Sequence, residues 1–154
     1  MVDLLRTLEA EAESVQRFVE LLKDEQLALE EGQIDDLITF SERKSDVAAE
    51  LATLAKQRNL VLAAAGMKAD RSGIETWLER EPADRGARSV WSRVLALASE
   101  ASELNRVNGE LIRIRMQSNA QLLAAMQGAS RTLHLYGPDG QTAPLLSRRI
   151  NDAA

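Results

Sequence analysis

The sequence predicts an all-α protein: an elongated antiparallel bundle or coiled coil of three long helices, with a short connecting helix and a flexible C-terminal tail. Apolar residues make up 45% of the 154-residue chain, whereas aromatic residues make up only 3%. Ala, Glu, Leu, Arg and Gln dominate instead, and these residues favour helices. Apolar residues also recur at spacings of three and four over long stretches, which places them on one face of a helix.

The first long helix is predicted over about residues 2–31, because the apolar residues from Leu5 to Leu29 keep this spacing. Gly32 suits the position just beyond a helix C-terminus, where glycine adopts a positive φ at little steric cost. So short a turn makes the next helix pack antiparallel to the first.

The second long helix is predicted over about residues 34–65. Lys44 and Arg58 interrupt its apolar stripe. We expect their aliphatic stems to cover the seam between helices while their charged ends reach water. Gly66 marks the end of this helix, since glycine is the usual residue after a helix terminus.

A connector follows over residues 66–87 and contains one short helix, for which Ser72 is a candidate N-cap. We expect Trp77 to pin this element onto the bundle, and an exposed partner anchor is the alternative for that residue. The third long helix is predicted to run from about Ala87 to Gly128, and the sequence leaves open whether it is continuous through Gly109. A helix of about 40 residues is about 60 Å long, so the first two helices cannot cover it, and its C-terminal part either projects alone or leaves an apolar face exposed. The domain prediction is therefore a bundle over residues 1–128 and a flexible tail over 129–154.

Composition and motifs argue against several classes of function. The net charge is −5 and there are no cysteines, which disfavours nucleic-acid partners and removes disulfides and thiolate metal sites. No apolar run approaches the roughly 20 residues that span a bilayer, and no signal peptide is apparent, so we expect a cytoplasmic protein without direct membrane insertion. His134 is the single histidine, and no catalytic, phosphate-binding or metal-binding motif accompanies it. We therefore expect no enzyme activity, no metal and no cofactor.

The segment 103–119 contains an unusual pattern on the third helix. Asn105, Asn108 and Asn119 lie close to one helical face, and Gly109 sits mid-helix, where it costs about 1 kcal/mol relative to alanine. One interpretation is structural: the asparagines fix the packing register and the glycine permits a close helix approach. The other is that this face receives a partner's amphipathic helix. The sequence leaves both open.

The residues "HLYGPDGQTAP", 134–144, contrast with the helical chain before them. They contain the only tyrosine, Tyr136, followed by the turn signal "GPDG". Tyr136 either packs on the bundle as part of a folded-back terminus or forms an exposed recognition element.

Three segments together resemble a known family. "LNRVNGELI", followed some twenty-odd residues later by "LYGPDGQT", and the earlier "LALEEGQIDDL" are similar to the FlgN family of flagellar type III export chaperones, over essentially the whole chain. The resemblance implies binding to the C-terminal amphipathic segments of hook-associated (hook–filament junction) proteins, prevention of their premature assembly, and delivery to the export gate. It also implies docking of Tyr136 on the cytoplasmic domain of that gate, with the export ATPase as a further candidate partner.

The resemblance associates client binding with the C-terminal helical part of the chain. The candidate contacts on the apolar stripe there are Leu104, Val107, Asn108, Leu111, Ile114, Leu122 and Leu123. Two alternatives compete with the chaperone: a structural coiled-coil protein with no client, and a regulator that sequesters a partner helix.

Overall fold

The computed structural model describes residues 4–80, 85–115 and 120–137, except for the side chains of 120–123, Ala125, Met126 and His134. Every element in these ranges is helical, so the prediction of an all-α fold is confirmed. The helices are α1 (Leu4–Glu30), α2 (Leu37–Ala64), α3 (Arg71–Arg80), α4 (Arg85–Arg115) and α5 (Ala120–Leu133). Two 3-10 turns lie at Ile34–Asp36 and His134–Tyr136.

Helices α1, α2, α4 and α5 form the bundle. Helix α1 packs against both α2 and α4, while α5 packs against α2 and α4. The apolar stripe of α1 is buried from Leu4 to Leu29, as the spacing of three and four residues predicts. Burial of this stripe from water supplies the main stabilisation of the fold.

Glycine ends both of the first two long helices. Gly32 has φ of 73° and Gly66 has φ of 75°. The amide of Gln33 donates to the carbonyl of Ala28 at 2.8 Å, and that of Met67 donates to the carbonyl of Leu62 at 2.9 Å. These bonds satisfy carbonyls at the helix ends, and the role predicted for Gly32 is confirmed.

The short helix α3 is capped by Asp70 and not by Ser72. The Asp70 carboxylate accepts hydrogen bonds from the Gly73 amide at 2.9 Å and from the Ser72 hydroxyl at 2.7 Å. Asp70 directly precedes Arg71, the first residue of α3, and it bonds the Gly73 amide as an N-cap residue does. Trp77 is half-buried and packs against the main core, in agreement with the prediction that it pins this helix.

The prediction of a single helix from Ala87 to Gly128 is wrong. Helix α4 ends at Arg115, and α5 is a separate helix that packs back against it. The Asn105 Nδ2 atom donates to the Ser130 hydroxyl at 2.8 Å, so the far end of α5 lies beside the middle of α4. Folding back covers apolar surface that one long helix would leave in water. Helix α4 itself is continuous through Gly109, which is buried.

The packed bundle also extends beyond the predicted boundary at residue 128. Ala129, Leu133, Leu135 and Tyr136 all belong to the main core. The residues predicted as tail thus include the end of α5 and a packed 3-10 turn. The predicted "GPDG" turn, apart from Gly137, and the rest of the tail, 138–154, lie outside the described residues.

Candidate partner-binding surface

Four of the predicted contact residues form one partly exposed apolar strip on α4. Leu104, Val107 and Leu111 are half-buried, and Ile114 is 72% exposed. Leu104 packs against the main core, and Leu111 packs against a smaller cluster of three buried residues, Leu29, Leu37 and Ile112. The strip is therefore packed on the bundle at Leu104 and Leu111 and exposed to solvent at Ile114. We refer to these four residues as the α4 strip.

Leu122 and Leu123 lie within helix α5. Their side chains are outside the described residues, so their candidate contacts stay a prediction.

Asn108 lies inside the bundle and is completely buried. Its Nδ2 donates to the Leu22 carbonyl at 2.8 Å and to Glu25 Oε1 at 3.0 Å. Glu25 also forms a buried ion pair with Lys44, with 3.0 Å between Nζ and Oε2. For Asn105 and Asn108 the geometry favours the structural interpretation, since both bridge helices; Asn119 lies outside the described residues.

The expectation that Lys44 and Arg58 reach water is wrong. Both are buried, and each pairs with a carboxylate of α1: Lys44 with Glu25, and Arg58 with Glu11. The spacing of residues along α2 could not reveal these partners, because they belong to a different helix. Buried charges are retained only when they are paired in this way.

Tyr136 is packed into the bundle, with only 6% of its surface exposed. Its hydroxyl lies beside the Glu11 carboxyl, with which it interacts. Burial raises the pKa of Tyr136 well above its usual 10.0, and the negative charge of Glu11 raises it further. The geometry therefore favours the interpretation that Tyr136 packs on the bundle as part of a folded-back terminus.

Tyr136 adjoins a buried charged cluster that the sequence did not reveal. Arg58 Nη1 lies 2.6 Å from Glu11 Oε2, and the Arg58 guanidinium sits 5.4 Å from the ring centre of Trp91. Three polar atoms here lack hydrogen-bond partners within the described part of the chain: Arg58 Nε, Arg58 Nη2 and Trp91 Nε1. The only sequence signal was the polar residue Arg58 within the apolar stripe of α2. The cluster joins α1, α2, α4 and the 3-10 turn His134–Tyr136, which we call the C-terminal turn.

The Glu11 carboxyl should make the stability of the protein depend on pH. Burial raises its pKa from 4.5 to about 7, and Arg58 and Tyr136 only partly oppose this shift. Because the pKa is higher in the folded state, the stabilisation is complete below the unfolded value and is lost as pH rises through about 7. We expect the free energy of unfolding to fall by roughly 1 kcal/mol between pH 6 and pH 8 from this group. Urea unfolding across this range would measure it, with Glu11→Gln as control; equal slopes for the two proteins would contradict the shift.

Within residues 4–80, 85–115 and 120–137, no group of three His, Asp or Glu side chains could hold a metal ion. None of the helices described there combines the length and apolarity needed to cross a bilayer.

The fold and the α4 strip define an all-helical bundle protein that presents a partly exposed apolar helix face, a surface suited to binding an amphipathic segment. A family model described as FlgN protein matches residues 1–144. The chain belongs to the FlgN family, and the resemblance noted in its sequence is confirmed.

Individual relatives agree with this assignment. Two proteins named flagella synthesis protein FlgN are each 30% identical over 158 residues, covering 97% of this chain and 98% of the relative. One is from Yersinia enterocolitica serotype O:8 / biotype 1B and the other from Yersinia enterocolitica. The crystal structure of a putative flagella synthesis protein FlgN from Pseudomonas aeruginosa has a TM-score of 0.69 at 18% identity, covering 88% of this chain and 99% of that one. At this identity the structure supports the fold alone.

Proposed function

We propose that this chain is a cytoplasmic flagellar export chaperone without enzyme activity. It binds the C-terminal amphipathic segments of hook-associated proteins, prevents their premature assembly and delivers them to the type III export gate. Membership of the FlgN family and the names of its relatives support a role in flagella synthesis. The α4 strip supports the binding of a helical client, because its four residues recur at the spacing that anchors an amphipathic helix.

The exposure of Ile114 is the observation that carries this proposal. A large aliphatic side chain that is 72% exposed contributes little to the stability of the isolated bundle. Ile114 also ends a strip whose other members are half-buried, so a partner helix placed there would cover a continuous apolar surface. Association of this kind is driven by removing apolar area from water.

Docking on the export gate, with or without the export ATPase, is a second step in the proposed function. The resemblance assigns this step to Tyr136, whose ring is buried against the bundle. Recognition of Tyr136 by the gate therefore requires the C-terminal turn to leave its place beside Glu11 and Arg58. Client binding on the α4 strip needs no such opening.

Replacement of Ile114 by serine should weaken client binding by about 5- to 20-fold, the usual effect of removing an anchor from an interface. Titration of the protein against the C-terminal segment of a hook-associated protein, followed by fluorescence anisotropy, would measure the dissociation constant. Leu60→Ser is a matched control, because Leu60 is also a large exposed aliphatic residue, at 62%, but lies on α2 near the opposite end of the bundle. Absence of a complex between the wild-type protein and the segment at micromolar concentration would contradict the chaperone assignment and favour a structural or regulatory protein.

A further inference from the structure

The C-terminal turn packs on a buried ion pair. Leu135 and Tyr136 are both buried in the main core. The Tyr136 hydroxyl interacts with the Glu11 carboxyl, and Glu11 pairs with Arg58, with 2.6 Å between Oε2 and Nη1. Tyr136 therefore helps to keep water away from this ion pair.

The polar groups that meet the turn are only partly satisfied by the protein. Nε and Nη2 of Arg58 and Nε1 of Trp91 find no acceptor in the described ranges. A buried donor without an acceptor costs free energy, and a partly satisfied polar network is less stable than an apolar core. Opening of the turn would bring these donors within reach of water, so the closed position is held less firmly than the apolar part of the bundle.

The turn also borders a cavity that leaves it room to move. Tyr136 and Gly137 line this cavity together with Leu95 and Ala98 of α4 and Leu133 of α5, and its volume is about 550 Å³. The turn follows the last residue of α5 directly. A change in the backbone of a few residues after Leu133 would therefore release the turn without displacing a long helix.

We propose that the C-terminal turn is a latch controlled by the charge of Glu11: it stays closed over a protonated Glu11 and opens more often when Glu11 is ionised. Among the described residues, the titratable and charged groups that act on Glu11 are Arg58 from α2 and Tyr136 from the turn. Trp91 of α4, which stacks on the Arg58 guanidinium, carries no charge. The consequence for gate docking rests on the proposed function, whereas the latch is a property of the chain alone.

The direction of the control follows from burial of the carboxyl group. In the closed protein, burial raises the pKa of Glu11 from 4.5 to about 7. Opening admits water, so this pKa falls back toward its ordinary value. A group whose pKa is raised in the closed state stabilises that state at low pH, and the stabilisation is lost as pH rises through about 7. Opening should therefore become about five- to tenfold more frequent between pH 6 and pH 8.

Amide hydrogen exchange of the full chain measures the opening, because protected amides exchange when their segment opens. Protection factors, which correct for the intrinsic effect of pH on exchange, are compared for residues 130–137 and for 14–22 in α1. We expect 130–137 to be at least about tenfold less protected, with a further five- to tenfold loss, roughly, from pH 6 to pH 8. Glu11→Gln should abolish this pH-dependent loss. Glu25→Gln should retain it, because Glu25 pairs with Lys44 and lies about 21 Å further along α1.

The turn contains a second titratable residue that needs its own control. The ordinary pKa of histidine is about 6.5, and the side chain of His134 lies outside the described residues. We expect His134→Gln to keep the loss of protection between pH 6 and pH 8. If the loss disappears in His134→Gln and persists in Glu11→Gln, the control by Glu11 is overturned.

The wild-type protein alone can overturn the latch, even if a variant fails to fold. Equal protection of 130–137 and 14–22 would mean that the turn opens only in global unfolding. Protection of 130–137 that does not change with pH would exclude control by a group that titrates near pH 7.

Gate docking is measured separately, so that the latch and the proposed function can fail independently. We expect the wild-type protein to bind the cytoplasmic domain of the export gate about five- to tenfold more tightly at pH 8 than at pH 6, because a larger fraction of the turn is open. Glu11→Gln should lose this difference. If hydrogen exchange behaves as expected but the gate domain does not bind, the latch is supported and the docking role of Tyr136 is wrong.

Discussion

Replacing Arg58 with alanine is expected to lower the free energy of unfolding by about 3–5 kcal/mol, because a carboxylate left buried without its partner is strongly destabilising. Arg58 and Glu11 are both fully buried, and no other ion pair is found for Glu11 among the described residues. The variant also loses the contact of the guanidinium with Trp91. Protonation of Glu11 offsets part of the loss at low pH, so the effect should be larger at pH 8 than at pH 6.

The chain offers a matched control for this experiment. Arg17 and Glu50 form an ion pair that also joins α1 to α2, but both side chains are about half exposed. Arg17→Ala should therefore cost less than about 1 kcal/mol. Urea unfolding followed by the helical circular dichroism signal measures both variants. Similar small losses for Arg58→Ala and Arg17→Ala would show that the Glu11–Arg58 pair is not buried as described.

Replacing Tyr136 is expected to give two different results that depend on the substitution. Tyr136→Ala should lower the free energy of unfolding by about 3–4 kcal/mol, because it removes a buried aromatic ring and leaves a cavity. Tyr136→Phe should lower it by only about 1 kcal/mol, because the variant keeps the buried ring and loses only the interaction of the hydroxyl with the Glu11 carboxyl. The same unfolding measurement distinguishes the two.

These variants also separate the structural role of Tyr136 from docking on a partner. Tyr136→Phe keeps the packed turn, so any loss of export-gate binding in this variant would come from recognition of the hydroxyl after the turn opens. Tyr136→Ala with unchanged stability would contradict the packing of this turn. Unchanged gate binding by a folded Tyr136→Ala protein would contradict the docking role that the family resemblance implies.

The sequence predicted helices α1 and α2 and the positions at which they end, because helix formation and helix termination depend on neighbouring residues. The spacing of apolar residues determines a helical face, and Gly32 ends α1 through bonds to residues only a few positions earlier. It also predicted the α4 strip, since Leu104 to Ile114 lie on one helical face. It could not predict that α5 packs back against α4, because the apolar pattern continues from one helix into the other with no proline between them.

The sequence by itself determined that this chain is a helical bundle of the FlgN family, since both the helical periodicity and the family motifs consist of residues close together in the sequence. Tertiary structure alone decided which charges are buried and which apolar residues share a surface. Glu11 and Arg58 are 47 positions apart and meet only when α1 packs on α2. Tyr136 is buried only because α5 returns it to the bundle. Such contacts depend on which helix faces meet, and no local spacing encodes that choice.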